Sequence, residues 1–127
     1  MSALRRVIVN ADDFGQSTGV NRGIIEAHEH GIVTSASLMV TGDAYDEAVA
    51  LAHENPRLGV GLHLTLICGR ACLASQEIPG LATDQGLFPD NPVDAGVKYF
   101  FKQSLRPQLE REIAAQIRKF ETTGLAC

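Results

Sequence analysis

Arg6-Val7-Ile8-Val9-Asn10-Ala11-Asp12-Asp13-Phe14-Gly15 decides how the rest of the chain is read. A short β-branched run, Arg6 to Asn10, gives way to polar residues and a glycine, as a buried strand does where it ends in a turn. Ser17 or Asn21 can cap a following helix, in which Val20, Ile24 and Ala27 recur at helical spacing until Gly31. Ser35-Ala36-Ser37-Leu38-Met39-Val40 reads as a second strand. Asp43 can cap a second helix with a small apolar stripe of Ala44, Ala48, Leu51 and Ala52, and Asn55-Pro56 ends it. Leu58 to Leu66 reads as a third strand, interrupted by Gly59 and Gly61 and carrying His63. Strand–helix–strand–helix–strand within about 60 residues predicts an α/β chain of right-handed crossovers on a parallel sheet.

Past Leu66 the pattern changes. Cys68 to Phe101 holds Pro79, Pro89 and Pro92 and predicts a long irregular excursion over roughly 67–103. A last helix starts near Pro107, with Leu109, Ile113, Ile117 and Phe120 on one face. Arg118 and Lys119 suit its C-terminal dipole, and Gly124 follows. Leu125-Ala126-Cys127 is at most the start of a further strand, so the parallel sheet reads as incomplete at the C-terminus.

Composition narrows the function. The chain has 127 residues, 45% hydrophobic and 20% charged, which suits one domain with a real core and excludes a disordered chain. Eleven Lys and Arg against 15 Asp and Glu leave a net charge of −4, with no basic stripe for phosphates, so no nucleic-acid partner is expected. No apolar run approaches the ~18 residues of a membrane span, and the N-terminus lacks a secretory core, so no integral membrane segment is expected. Cys68, Cys72 and Cys127 form no even framework and read as reduced thiols of a cytoplasmic protein.

Asp12 and Asp13 follow the first strand, and His63 lies near the end of the third. In parallel α/β folds ligands bind beyond the carboxyl ends of the strands, so all three belong on one rim. A carboxylate and an imidazole suit zinc, and the carboxylate also suits magnesium. Adjacent strand residues point to opposite faces, so both aspartates can serve one site only if the chain already turns there, which Phe14-Gly15 permits. One carboxylate would then hold the metal while the other takes a proton from water. The plainer readings are an acidic pair in a solvated turn and a hydrogen-bonded core histidine. His28-Glu29-His30 looks like a metal motif, but residues two apart on a helix diverge. Cys68 and Cys72 lack a second pair and read as ordinary thiols. Tyr99-Phe100-Phe101 reads first as core packing and second as a greasy wall for an amphiphilic substrate.

These residues resemble a known family. Val7-Ile8-Val9-Asn10-Ala11-Asp12-Asp13-Phe14-Gly15 is similar to the opening of the YdjC-like carbohydrate deacetylases. Gly19 to Ile24, Gly31 to Val40 and Val60 to Leu64 match further motifs in the family's order. Glu77-Ile78-Pro79, Gly86-Leu87-Phe88, Gly96 to Phe101 and Gln108 to Gly124 are similar to its hopanoid-biosynthesis-associated (HpnK) branch. The resemblance implies a (β/α) barrel-like fold and metal-dependent removal of acetyl from an N-acetylated sugar, in that branch an N-acetylglucosaminyl hopanoid lipid. By motif position it implies Asp13 and His63 as ligands of a divalent metal (Mg or Zn) and Asp12 as catalytic base. It further implies that residues 1–127 are the N-terminal part of a single deacetylase domain, whose third ligand and general acid come from a histidine-rich segment that follows. An N-acetylated sugar or glycolipid is the expected substrate, met in the cytoplasm or at the inner face of the membrane.

Two other classes compete. A non-catalytic fragment could self-associate through its exposed sheet edge, and on that reading a homo-oligomer is expected. A phospho-acceptor receiver domain also has an acidic pair after strand 1, but it needs an Asp where this chain has His63, and it is rejected.

Overall fold

The computed structural model describes residues 5–125. Three parallel strands lie in the order β1 (Asn10–Phe14), β2 (Ser35–Met39), β3 (Gly59–His63). Helix α1 (Thr18–Glu29) joins the first two and α2 (Tyr45–Glu54) joins the second and third. Beyond β3 the chain runs through turns to α3 (Pro92–Phe101), a 3₁₀ turn at Gln103–Leu105, and α4 (Arg106–Glu121). The expected mixed α/β arrangement of parallel βαβ units is therefore present.

The sheet has two unlike faces because its strands alternate. Ala36, Leu38 and Val60 are buried in a core with Phe14 of β1, Ile24 of α1, Ala48 and Ala52 of α2 and Phe120 of α4. Each large aliphatic or aromatic side chain so buried contributes roughly 1.5–3 kcal/mol. The alternate positions are polar: Ser35 Oγ donates to Asn10 Oδ1 at 2.9 Å, and Ser37 Oγ donates to Asp12 Oδ1. His63, at the end of β3, is one further alternate position along.

Several boundaries differ from the sequence reading. The first strand is Asn10–Phe14 rather than Arg6–Asn10, and Val7 and Ile8 are 75% and 81% exposed. β3 stops at His63 rather than Leu66. Ser17 caps α1, accepting from Val20 N at 3.3 Å, whereas Asn21 is fully buried. Asp43 does not cap α2, which starts after Ala44 without a side-chain cap. The stretch expected to be irregular contains α3, where Asn91 accepts from Val93 N and Asp94 N and Pro92 occupies the first turn. The segment ahead of α3 packs Ala71, Ile78, Leu81 and Phe88 into a small core with Leu105 of the 3₁₀ turn, so it is packed rather than loose. The expected strand start at 125–127 lies largely outside the described residues.

α4 is the largest departure. Its buried side chains are Glu112, Ala115, Gln116 and Phe120, while Ile117 is exposed. The aliphatic stripe suggested by spacing is only partly the buried one. Core packing of Tyr99-Phe100-Phe101 holds for Tyr99, whose hydroxyl donates to Leu66 O at 2.9 Å, but Phe100 and Phe101 are 74% and 73% exposed. The burial around Tyr99 raises its phenol pKa.

Candidate metal and acid–base site

Register explains how Asp12 and Asp13 come to share a site. Ala11 faces Ala36 and Phe14 faces Leu38, so two residues, Asp12 and Asp13, stand opposite the single residue Ser37. That is a β-bulge, rare in parallel pairs, which re-aims side chains. Asp13 takes the extra step with φ of 61°, a left-handed conformation that Asp tolerates better than most residues. The turn that the sequence located at Phe14-Gly15 thus begins one residue earlier, and both carboxylates reach the same side of the sheet.

They meet at His63. Its Nδ1 lies 3.6 Å from Asp12 Oδ1 and 3.7 Å from Asp13 Oδ1. Both distances exceed hydrogen-bond range. Ser37 Oγ, whose proton goes to Asp12, is 3.4 Å from the same nitrogen. Parallel pairing sets Met39 beside His63 and Ser37 beside Gly61, so the serine sits between the aspartates and the imidazole without a side chain in its way. In the sequence Ser37 stands out only as part of a strand. Its signal was polarity at alternate positions of an otherwise apolar run.

The donor set suits a cation in part. Two carboxylates facing one ring nitrogen, neither bonded to it, form a group that a divalent ion would hold together, and carboxylate with imidazole fits zinc or magnesium. Among the described residues no three His, Cys, Asp or Glu side chains make a complete cation cage. Asp13 and His63 therefore fit as part of a ligand set, with Asp12 and its serine beside them.

A cavity of about 230 Å³ opens here, lined by Asp13 and His63 with Gln16, Met39 and the 64–68 segment. That segment is clamped from behind by α4. Gln116 Oε1 accepts from Thr65 N at 2.9 Å, and its Nε2 donates to Thr65 O at 2.7 Å. Glu112, also fully buried, accepts from Cys72 N, Leu73 N and Gln116 Nε2 at 2.7, 2.9 and 2.7 Å. Burial and the Glu112 carboxylate push the Cys72 thiol pKa up. The polar residues inside α4 were invisible to a search for apolar spacing. On the other side, Asn21 accepts from Gly15 N at 2.7 Å and donates to Ala44 O and Glu47 Oε2, tying the turn after β1 to α2.

The other sequence candidates lie elsewhere. His28 Nδ1 faces Val33 O at 2.8 Å, and His30 sits beside Glu26 and Glu29 on the helix surface. Cys68 and Cys72 are free thiols.

A family model described as YdjC-like protein matches residues 6–127. The chain belongs to the YdjC-like family. This YdjC-like chain is 46% identical over 123 residues to the carbohydrate deacetylase of Brevibacillus brevis, covering 94% of the chain and 45% of the relative. It is 43% identical over 122 residues to the carbohydrate deacetylase of Geobacillus stearothermophilus, covering 95% and 46%. A chitooligosaccharide deacetylase of Salmonella newport is 50% identical over 80 residues, 63% of the chain and 31% of the relative. A solved structure from Enterococcus faecalis V583, described as a candidate cellobiose-phosphate cleavage protein, superposes with a TM-score of 0.72 at 35% identity, over 92% of the chain and 44% of that protein. The YdjC-like chain thus spans about half the length of the curated relatives it matches.

Proposed function

We propose that this chain carries the first part of a metal-dependent N-deacetylase that hydrolyses the acetamide of an N-acetylated sugar. The observation that carries the reading is the bulge opposite Ser37, which turns Asp12 and Asp13 together onto His63 at the carboxyl ends of parallel strands. The names of the deacetylase relatives support the reaction class. The sheet's polar face, with Asn10, Ser35, Ser37 and His63, supports closure into a barrel-like (β/α) domain with that face inward.

Asp13 and His63 are the proposed ligands for zinc or magnesium. When bound, the ion would polarise the amide oxygen and ease deprotonation of water. Asp12 takes the proton from the water that attacks the carbonyl carbon, and Ser37, donating to Asp12 Oδ1, holds that carboxylate in place. The C–N bond then breaks, giving acetate and the sugar amine. The amine nitrogen needs a proton, and catalytic zinc ordinarily has three protein ligands. We assign the donor of that proton and the third ligand to sequence outside these 127 residues, so that they form the N-terminal part of one catalytic domain.

The branch resemblance offers a lipid-linked N-acetylglucosaminyl hopanoid as the specific substrate, and the exposed Phe100 and Phe101 support an amphiphilic one. Among the described residues no helix is long and apolar enough to cross a membrane. The free thiols accord with work in the cytoplasm or at its membrane face. A second reading is a non-catalytic chain that self-associates, favoured by β1 and β3 each pairing on one side only among the described residues. Acetate release from N,N′-diacetylchitobiose, with zinc present and the chain joined to the segment that supplies the third ligand and the proton donor, separates the two. The enzyme reading expects release that falls ~100-fold or more in Asp12→Asn. Release unaffected by that change refutes it, and no release from a defined oligomer favours the second reading.

A further inference from the structure

Helix α3 is apolar on two opposite sides, and only one of them is packed. Ala95 is buried, and Tyr99 packs into the small core with its hydroxyl on Leu66 O at 2.9 Å. Val93, Val97, Phe100 and Phe101 recur three and four residues apart on the other side. Val93 and Val97 are 70% and 53% exposed. The two phenylalanines, as exposed as Val93, stand edge to face with 4.9 Å between ring centroids. A single exposed apolar residue needs no explanation, but four on one face of a ten-residue helix form a patch.

Charge is sorted along the same stretch. Asp90 and Asp94 stand at the start of α3, whereas Lys98, Lys102 and Arg106 flank its phenylalanine end. All three cations are exposed, and among the described residues none of them is in an ion pair. Screening beyond ~8 Å keeps the net charge of −4 on the whole chain from cancelling them locally. A protein partner would need about 20–30 residues of surface on each side, and the flanks here hold Lys98 and Lys102, the residue type that protein interfaces deplete. An anionic bilayer accepts both features, apolar side chains among the headgroups and cations on the phosphates.

We infer that α3 is an interfacial anchor, which sets Val93, Val97, Phe100 and Phe101 into the headgroup layer of an anionic lipid surface with Lys98, Lys102 and Arg106 on its phosphates. Ten residues are too few to span a bilayer, so the helix lies on it and attaches reversibly. The Tyr99 hydroxyl ties the helix to Leu66, which lines the cavity at Asp13 and His63. The docked helix and that cavity thus share one wall. The anchor goes beyond the deacetylase reading and does not depend on it, since neither metal nor sugar takes part in docking.

The test is co-sedimentation of the 127-residue chain with vesicles of phosphatidylcholine, alone or with about 30% phosphatidylglycerol. Binding to the anionic vesicles is expected to be at least roughly tenfold tighter than to the neutral ones, and to weaken as salt rises from about 0.05 to 0.5 M. Phe100→Ser combined with Phe101→Ser, both exposed, is expected to weaken it by roughly tenfold or more with the melting temperature unchanged. Replacing Lys98, Lys102 and Arg106 together by Gln is expected to abolish the preference for anionic vesicles. No binding to anionic vesicles, or binding that the phenylalanine variant keeps, overturns the anchor. A dimer in light scattering that the same variant dissolves gives the face to a second copy and also overturns it. The chain joined to the segment that supplies the third ligand is expected to bind the same vesicles. Loss of binding there gives the face to that segment and overturns the lipid. Each of these failures leaves the deacetylase reading standing, because acetate release is measured without lipid.

Discussion

Replacing Glu112 by Ala tests the claim that α4 holds the site from behind. The carboxylate is fully buried and accepts from Cys72 N, Leu73 N and Gln116 Nε2. Truncation leaves one buried and two part-buried donors without that acceptor, costing about 1–3 kcal/mol for the buried one and less for each of the others. Release of the buried carboxylate from its own desolvation penalty offsets part of that. A net loss of about 3–4 kcal/mol follows, a large share of the ~5–15 kcal/mol that holds a domain folded. Urea denaturation reads it: with a slope of ~1–2 kcal/mol/M for a chain of this size, the midpoint falls by roughly 1.5–4 M. Glu112→Gln keeps one oxygen acceptor and turns an NH₂ toward N–H donors, so it falls between wild type and Glu112→Ala. Amide exchange at Thr65, Cys72 and Leu73 rises in parallel, because the Gln116 clamp on Thr65 loses its brace. A midpoint within 0.5 M (roughly 1 kcal/mol) of wild type for Glu112→Ala, with unchanged slope, refutes the reasoning.

Two further predictions follow from neighbouring contacts. Asn21→Ala frees Gly15 N and Ala44 O from their partner and is expected to destabilise by about 2–4 kcal/mol, read as a lowered melting temperature, whereas a simple cap residue would cost about 1. Burial and Glu112 raise the Cys72 pKa, so the protonated thiol is the favoured folded form: its stabilising effect is complete below the unfolded pKa and is lost as pH climbs through the higher folded one. Accordingly, iodoacetamide at pH 8 should label the exposed Cys68 well before Cys72, and Glu112→Gln should narrow the gap. Equal labelling rates, followed by mass spectrometry, would contradict that assignment.

The alternation of strands and helices through residue 63 was legible because its signals are local: β-branched runs, helical spacing, a serine cap. The first strand was misplaced because hydrophobicity marks what wants burial, whereas pairing with β2 marks what is paired. Val7 and Ile8 are apolar yet exposed, and the paired residues are Asn10 to Phe14. α3 was hidden by the prolines around it, although Pro92 is compatible with a first turn. The buried polar pair of α4 violates amphipathic spacing because its partners are backbone groups of a distant segment, which no periodicity encodes.

For the site, residue types and strand ends brought Asp12, Asp13 and His63 to one rim, and the structure groups them there. The means was not legible. A bulge is a property of register between two strands, and the left-handed Asp13 follows from fitting two residues opposite one. Ser37 became visible only once that register placed it between the carboxylates and the imidazole.

Calorimetric titration of the chain with zinc tests the central claim most directly. The account predicts saturable binding by wild type, retained in Asp12→Asn and weakened in His63→Ala and in Asp13→Asn by more than the ~10–100-fold that loss of a mere supporting group costs. No binding by wild type, or binding that His63→Ala leaves unchanged, would contradict it.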